Sequence, residues 1–168
     1  MRRIFICSML FAAAVLFLGC APQGENPEKM VAAAKEMDQQ FIAAANKADV
    51  DAVMALYWNN PDLVVYPPDE MEAKGWQAQQ AGFKNLFATM PNAKWELVES
   101  NYKAAGDVVI GWGKVKLTVP SEGGARAEML FRYTDVRTKR DGKWVVILDH
   151  GSAPLPPPPA PSPASKFQ

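Results

Sequence analysis

The chain has 168 residues, with 18 basic and 18 acidic side chains and a single histidine. A formal charge of zero with no basic cluster argues against nucleic acid as a partner. One histidine excludes a multi-histidine zinc site, and neither a metal nor a cofactor is expected.

Residues 1–19 read as an export signal, with Arg2 and Arg3 followed by an apolar run from Ile4 to Leu18. That run is too short to favour a stable membrane span. It ends in Phe17-Leu18-Gly19-Cys20, which resembles a bacterial lipobox, in which a small residue precedes the cysteine that is cut and lipidated. The usual leucine three positions before the cysteine is Phe17 here. The expectation is an exported lipoprotein, held on the periplasmic side of a membrane by lipid on Cys20, with residues 20–26 as linker. Cys7 would leave with the signal, so no disulfide and no free thiolate would remain. Loss of Arg2 and Arg3 leaves 16 basic against 18 acidic residues.

Segment 27–153 has room for one core. Asn26-Pro27-Glu28 opens a helix, with Asn26 as cap and Pro27 in the first turn. Met30, Ala33, Ala34, Met37, Phe41 and Ala44 fall on one stripe at spacings of three and four. Asn46 to Asp49 breaks it, and a second helix is predicted from Val50 to about Trp58. Leu63–Tyr66 reads as a short strand stopped by Pro67-Pro68, and Glu70–Lys74 as polar loop. A third helix is predicted from Trp76 to Met90, with Ala78, Phe83, Leu86 and Phe87 buried.

Four strands follow. Trp95–Ala104 carries Trp95, Leu97 and, after a phase change, Tyr102. Val108–Val119, Ala127–Lys139 and Lys143–Gly151 are rich in β-branched and aromatic residues. Ser121–Gly124 joins the second and third of these strands. Gly111 and Gly113 flank Trp112 and let the strand bend or something approach closely. Seven prolines between Pro154 and Pro163 make residues 154–168 an extended tail rather than a folded element.

Helices first and strands later give an α+β fold, three helices packed on one strongly curved, mainly antiparallel sheet, a cone with its mouth where the layers diverge. The register of the last hairpin decides which residues face the hollow. A bulged turn at Arg140–Lys143 sets Thr138, Val136, Thr134 and Arg132 opposite Trp144, Val146, Leu148 and His150. A plain two-residue turn instead sets Lys139 and Arg137 against Trp144 and Val146. The bulged turn is preferred because it gives one mostly apolar face, polar only at Arg132, Thr134 and His150. Tyr66 and Trp76 flank the loop at the mouth. Phe41, Trp58, Tyr66, Trp76, Phe83, Trp112, Arg132, Thr134, Leu148 and His150 are therefore the candidate pocket. His150 is the candidate acid–base group, with Arg132 or Tyr66 polarising a carbonyl or enolate. Asp149 points away from His150 because neighbouring strand residues alternate.

Phe41–Asn46, Asp49-Val50-Asp51, Met54–Tyr57, Tyr66-Pro67-Pro68, Gly75, Arg132–Val136, Asp141–Trp144 and Asp149–Ser152 together resemble the SnoaL-like and ketosteroid-isomerase-like branch of the nuclear-transport-factor-2-like superfamily. The resemblance implies a cone-shaped, cystatin-like barrel. It also implies pairing of two copies through the outer sheet face, where Tyr133, Asp135 and Arg137 are expected. The isomerase's oxyanion tyrosine falls on Phe41, its base on Tyr66, and its second donor on Thr134, or on Asp135 if the register slips. Those replacements speak against its mechanism. Three functions stay open: binding of a small, largely apolar molecule, an isomerase, cyclase or dehydratase using His150, and an interaction module with a vestigial pocket.

Overall fold

The structure, a computed structural model, describes residues 25–68, 71–120 and 125–154. The leader, Cys20, the 121–124 connection and the tail beyond Pro154 lie outside the described residues.

Helix α1 spans Pro27–Ala45. The Asn26 side chain accepts hydrogen bonds from the Glu28 and Lys29 amides at 2.8 and 3.3 Å, so two orphan donors are satisfied. After its last turn, Asn46 bridges to Trp95, donating to its carbonyl at 2.9 Å and accepting from its amide at 3.0 Å. That pair fixes where the helix meets the sheet. Helix α2 is short, Val50–Met54, capped by Asp49. The predicted continuation to Trp58 is replaced by extended chain, because Leu56 and Trp58 exchange backbone hydrogen bonds with Val146 at 2.9 and 3.0 Å.

Strand β1 is Val64–Tyr66 and β2 is Ala73–Lys74, a pairing within the stretch read from sequence as loop. Helix α3, Trp76–Thr89, buries Gln79, Phe83 and Phe87, while Ala78 is exposed. Strands β3 (Lys94–Ala105), β4 (Val108–Pro120), β5 (Arg126–Arg140) and β6 (Lys143–Ser152) form an antiparallel run. The sheet order is β2-β1-β6-β5-β4-β3, and β1 lies parallel to β6. Met37, Val53, Met54, Leu63, Phe83 and Phe87 pack with Val65 and Val146 into the main core between helices and sheet.

The final hairpin differs from the preferred reading. Asp141 and Gly142 both have positive φ, 50° and 78°, the signature of a two-residue type I′ turn, and Arg140 pairs with Lys143. Arg137 then lies opposite Val146. The bulge lies further along, at Ile147, because Val136 pairs with Leu148. One extra residue reverses the alternation, so Asp149 turns toward the helices and His150 away from them.

Candidate functional site

A cavity of about 80 Å³ lies between α1, the chain after α2 and the inner sheet face, and it opens to solvent. Met37, Phe41 and Ile42 from α1, Leu56, Leu97, Val115 and Val146 form its apolar wall. Its polar wall is Asp38, Tyr57, Tyr133, Asp135, Arg137 and Asp149.

Arg137 is the hub of that wall, and its side chain is buried. Its Nε donates to Asp135 Oδ1 at 2.8 Å. Nη2 donates to Asp135 Oδ2 and to Asp38 Oδ1, and Nη1 to the Ala34 carbonyl. Asp38 Oδ2 accepts from the hydroxyls of Tyr102 and of Tyr133, the latter at 3.0 Å. Burial alone would lower the Arg137 pKa, but hydrogen bonds to Asp135, with the charges of Asp135 and Asp38, raise it further above its ordinary value. Burial raises the Asp135 carboxyl against the pull of Arg137. Tyr102 is pushed up to about 12, by burial and its bond to Asp38, and burial raises Tyr133 as well.

Asp149 is held differently. Tyr57 donates to its Oδ2 at 2.8 Å, and no Lys, Arg or His pairs with it among the described residues. It is surrounded by protein yet partly accessible through the cavity. Burial, then the charge of Asp135, pushes its pKa up to about 6, and the Tyr57 bond only partly offsets this. A carboxyl with that value exchanges protons near neutral pH. Burial and Asp149 together hold Tyr57 in its neutral, donating form. Among the described residues, no group of three His, Cys, Asp or Glu side chains is arranged to hold a metal ion.

Of the ten candidate pocket residues, only Phe41 lines this cavity, its ring edge-on to Phe83 and Trp95 at 5.9 Å each. Phe83 is buried in the core behind it. Trp76 donates its Nε1–H to the Met54 carbonyl at 3.2 Å, and Trp58 lies under the Arg140 guanidinium at 5.5 Å. The remaining six are on the outer face. Thr134 pairs with His150 and with Trp112, Tyr66 pairs with His150, and Arg132 pairs with Ser152. The Tyr66 and His150 rings sit 6.4 Å apart, so these two do meet, but outside the cone. Trp112 and Leu148 are also exposed there. The plain turn at Asp141-Gly142 sends Arg132 and Thr134 of β5 outward, and the bulge at Ile147 does the same for Leu148 and His150 of β6. The plain turn also brings Tyr133, Asp135 and Arg137, expected at a contact between copies, into the interior.

Asp38, Tyr57, Tyr102 and Asp149 were not foreseen as part of a site, Asp135 was named only as a second donor should the register slip, and Tyr133 and Arg137 only at a contact between copies. Two signals pointed to them. Asp38 is next to Met37 on the apolar stripe of α1, where an ionisable group needs a buried partner. Gly111 and Gly113 pair with Asp135 and Tyr133, leaving room beside those side chains.

Similar folds are known. The structure of a candidate dehydratase of the NTF2-like family from Streptomyces avermitilis has a TM-score of 0.69 at 14% identity, covering 77% of this chain and 100% of that one. A candidate calcium/calmodulin-dependent protein kinase II association domain from Xanthomonas campestris reaches 0.60 at 26% identity, with coverage of 77% and 89%. A protein with a cystatin-like fold from Caulobacter vibrioides reaches 0.65 at 17%, with coverage of 76% and 92%. No curated protein matches the chain. Residues 35–156 match the SnoaL-like domain, and the chain belongs to that family.

Proposed function

We propose that this domain binds a small, largely apolar molecule in the cavity beneath α1, with one polar group of the ligand meeting Asp149. The observation that carries the reading is the Asp149–Tyr57 pair on the wall of an otherwise greasy hollow. A pocket of mainly apolar lining with few convergent polar groups suits such ligands. Thermal-shift measurements on the full chain, against short-chain alcohols, ketones and amines, test it. A ligand at a hundred times its Kd adds about 2.7 kcal/mol to stability, so binders should raise Tm, and Leu56→Trp, which fills the cavity, should abolish the shift. A library that leaves Tm unmoved contradicts the reading.

A second reading is proton transfer of the isomerase or dehydratase kind. It is favoured by the Asp149 pKa of about 6 and by the neutral Tyr57 hydroxyl beside it, whose one proton is donated to Asp149 and is released toward a developing oxyanion once Asp149 takes up a proton. In this reading Asp149 rather than His150 moves the proton, because His150 is on the far side of the sheet.

Export and lipid anchoring complete the proposal. Arg2-Arg3, the apolar run and Leu18-Gly19-Cys20 support them. Labelled palmitate should enter the protein in a bacterial host and fail to enter Cys20→Ala. Equal labelling of the two would contradict the anchor.

A further inference from the structure

The cavity holds an imbalance of charge. Asp38, Asp135 and Asp149 line it, and Arg137 is the one cation among its lining residues. That guanidinium is already used, since its Nε, Nη1 and Nη2 all donate within the wall. Asp38 and Asp135 share it, while Asp149 has only the Tyr57 hydroxyl. A buried carboxylate without a cation is costly, and the cost is relieved by any positive group that reaches it. Asp149 lines the hollow and is partly exposed, so a positive group can reach it through the cavity. Phe41, Tyr57 and Tyr133 supply aromatic surface to the same cavity, and aromatic faces attract cations.

We propose that the cavity selects a small organic cation, an ammonium head on a short apolar body, with Asp149 as its counter-ion. The proposal rests on the pocket reading above and narrows it to a class of ligand. The volume suits a head and a short branched stem. An anionic ligand is refused, because two carboxylates have claimed Arg137 and the third repels it. A neutral carbonyl compound could be held only by protonated Asp149 or by a wall hydroxyl. The groups that face Asp149 are Tyr57 on the chain after α2, Asp38 on α1, and Tyr133, Asp135 and Arg137 on β5. Of the acidic side chains in this set, the one unpaired with Arg137 is Asp149, so its proton governs binding near pH 6.

The test is an NMR titration of the full chain with isobutylamine, isobutanol and isobutyrate, which share one apolar body and differ in the head. At about pH 7.5 the amine should bind about tenfold tighter than the alcohol, the usual scale for a charge-assisted bond, and isobutyrate should not bind. Lowering the pH to about 5 should weaken the amine about tenfold as Asp149 takes up its proton. Asp149→Asn should remove the preference for the amine, and the pH series on the unaltered chain gives the answer even if that variant folds poorly. If the alcohol binds as well as the amine, or isobutyrate binds best, the cation proposal is overturned while the pocket stands. If none of the three binds, the pocket reading falls, and the cation with it.

Discussion

Arg137 holds two carboxylates from different elements, Asp38 on α1 and Asp135 on its own strand. All three side chains are buried, and each has hydrogen bonds that replace lost water. Removing one partner of such a group is far more damaging than replacing the whole. Arg137→Met should therefore cost about 3–5 kcal/mol at neutral pH, because two carboxylates are left without a cation. Denaturant unfolding should show the loss shrinking as pH falls, since burial raises the Asp135 carboxyl and its protonation removes uncompensated charge. A loss below about 1 kcal/mol, the range of an exposed ion pair, would mean that the cluster is solvated. At this scale little was legible. Asp38 on an apolar stripe was visible, but its partner lies 99 positions away, and only the fold brings them together.

The elements were far more legible, because local patterns specify them. The Asn26 cap, the stripe of α1, the third helix and the four long strands are present as read. Where the reading slipped, two features of β6 were responsible. The turn at Asp141-Gly142 is the plain two-residue form, and the bulge is at Ile147, inside the strand. A bulge leaves little trace in composition, yet each one reverses which residues face the core. The phase change in β3 was visible in the order of Trp95, Leu97 and Tyr102, and the register shift falls between Leu97 and Glu99. That bulge brings the Glu99 carbonyl over Gly113. A Cβ on Gly113 would lie 1.9 Å from that oxygen. Gly113→Ala should thus open the β3–β4 ladder at a cost of about 3 kcal/mol or more, at the top of the range for overpacking. Gly82→Ala in α3 meets nothing within 4 Å and should gain about 0.5–1 kcal/mol from helix propensity. Thermal unfolding of the pair checks the contrast, and equal midpoints would contradict the tight register at Gly113.

At the scale of the whole molecule, the helices and the curved sheet enclose Asp149, a carboxyl paired with no Lys, Arg or His among the described residues. The folded pKa of Asp149, about 6, lies above that of an unfolded aspartate, about 3.9. The folded state therefore binds more protons between those values. Its favourable contribution is fully present below the lower value and is lost as pH rises through the upper one. Above pH 6 the molecule carries a buried anion as a standing cost, which a bound partner can relieve. Natural proteins keep such costs at sites of function. The α+β class and the family resemblance were legible in the sequence because hydrophobic period and element order set them. The site was not, because it depends on the sense of one strand's alternation. The most direct measurement is an NMR titration of the Asp149 side-chain carboxyl carbon in the full chain. The expected midpoint is near 6. A midpoint at the ordinary aspartate value of about 4 would place the carboxyl in open water and contradict the inward-facing site.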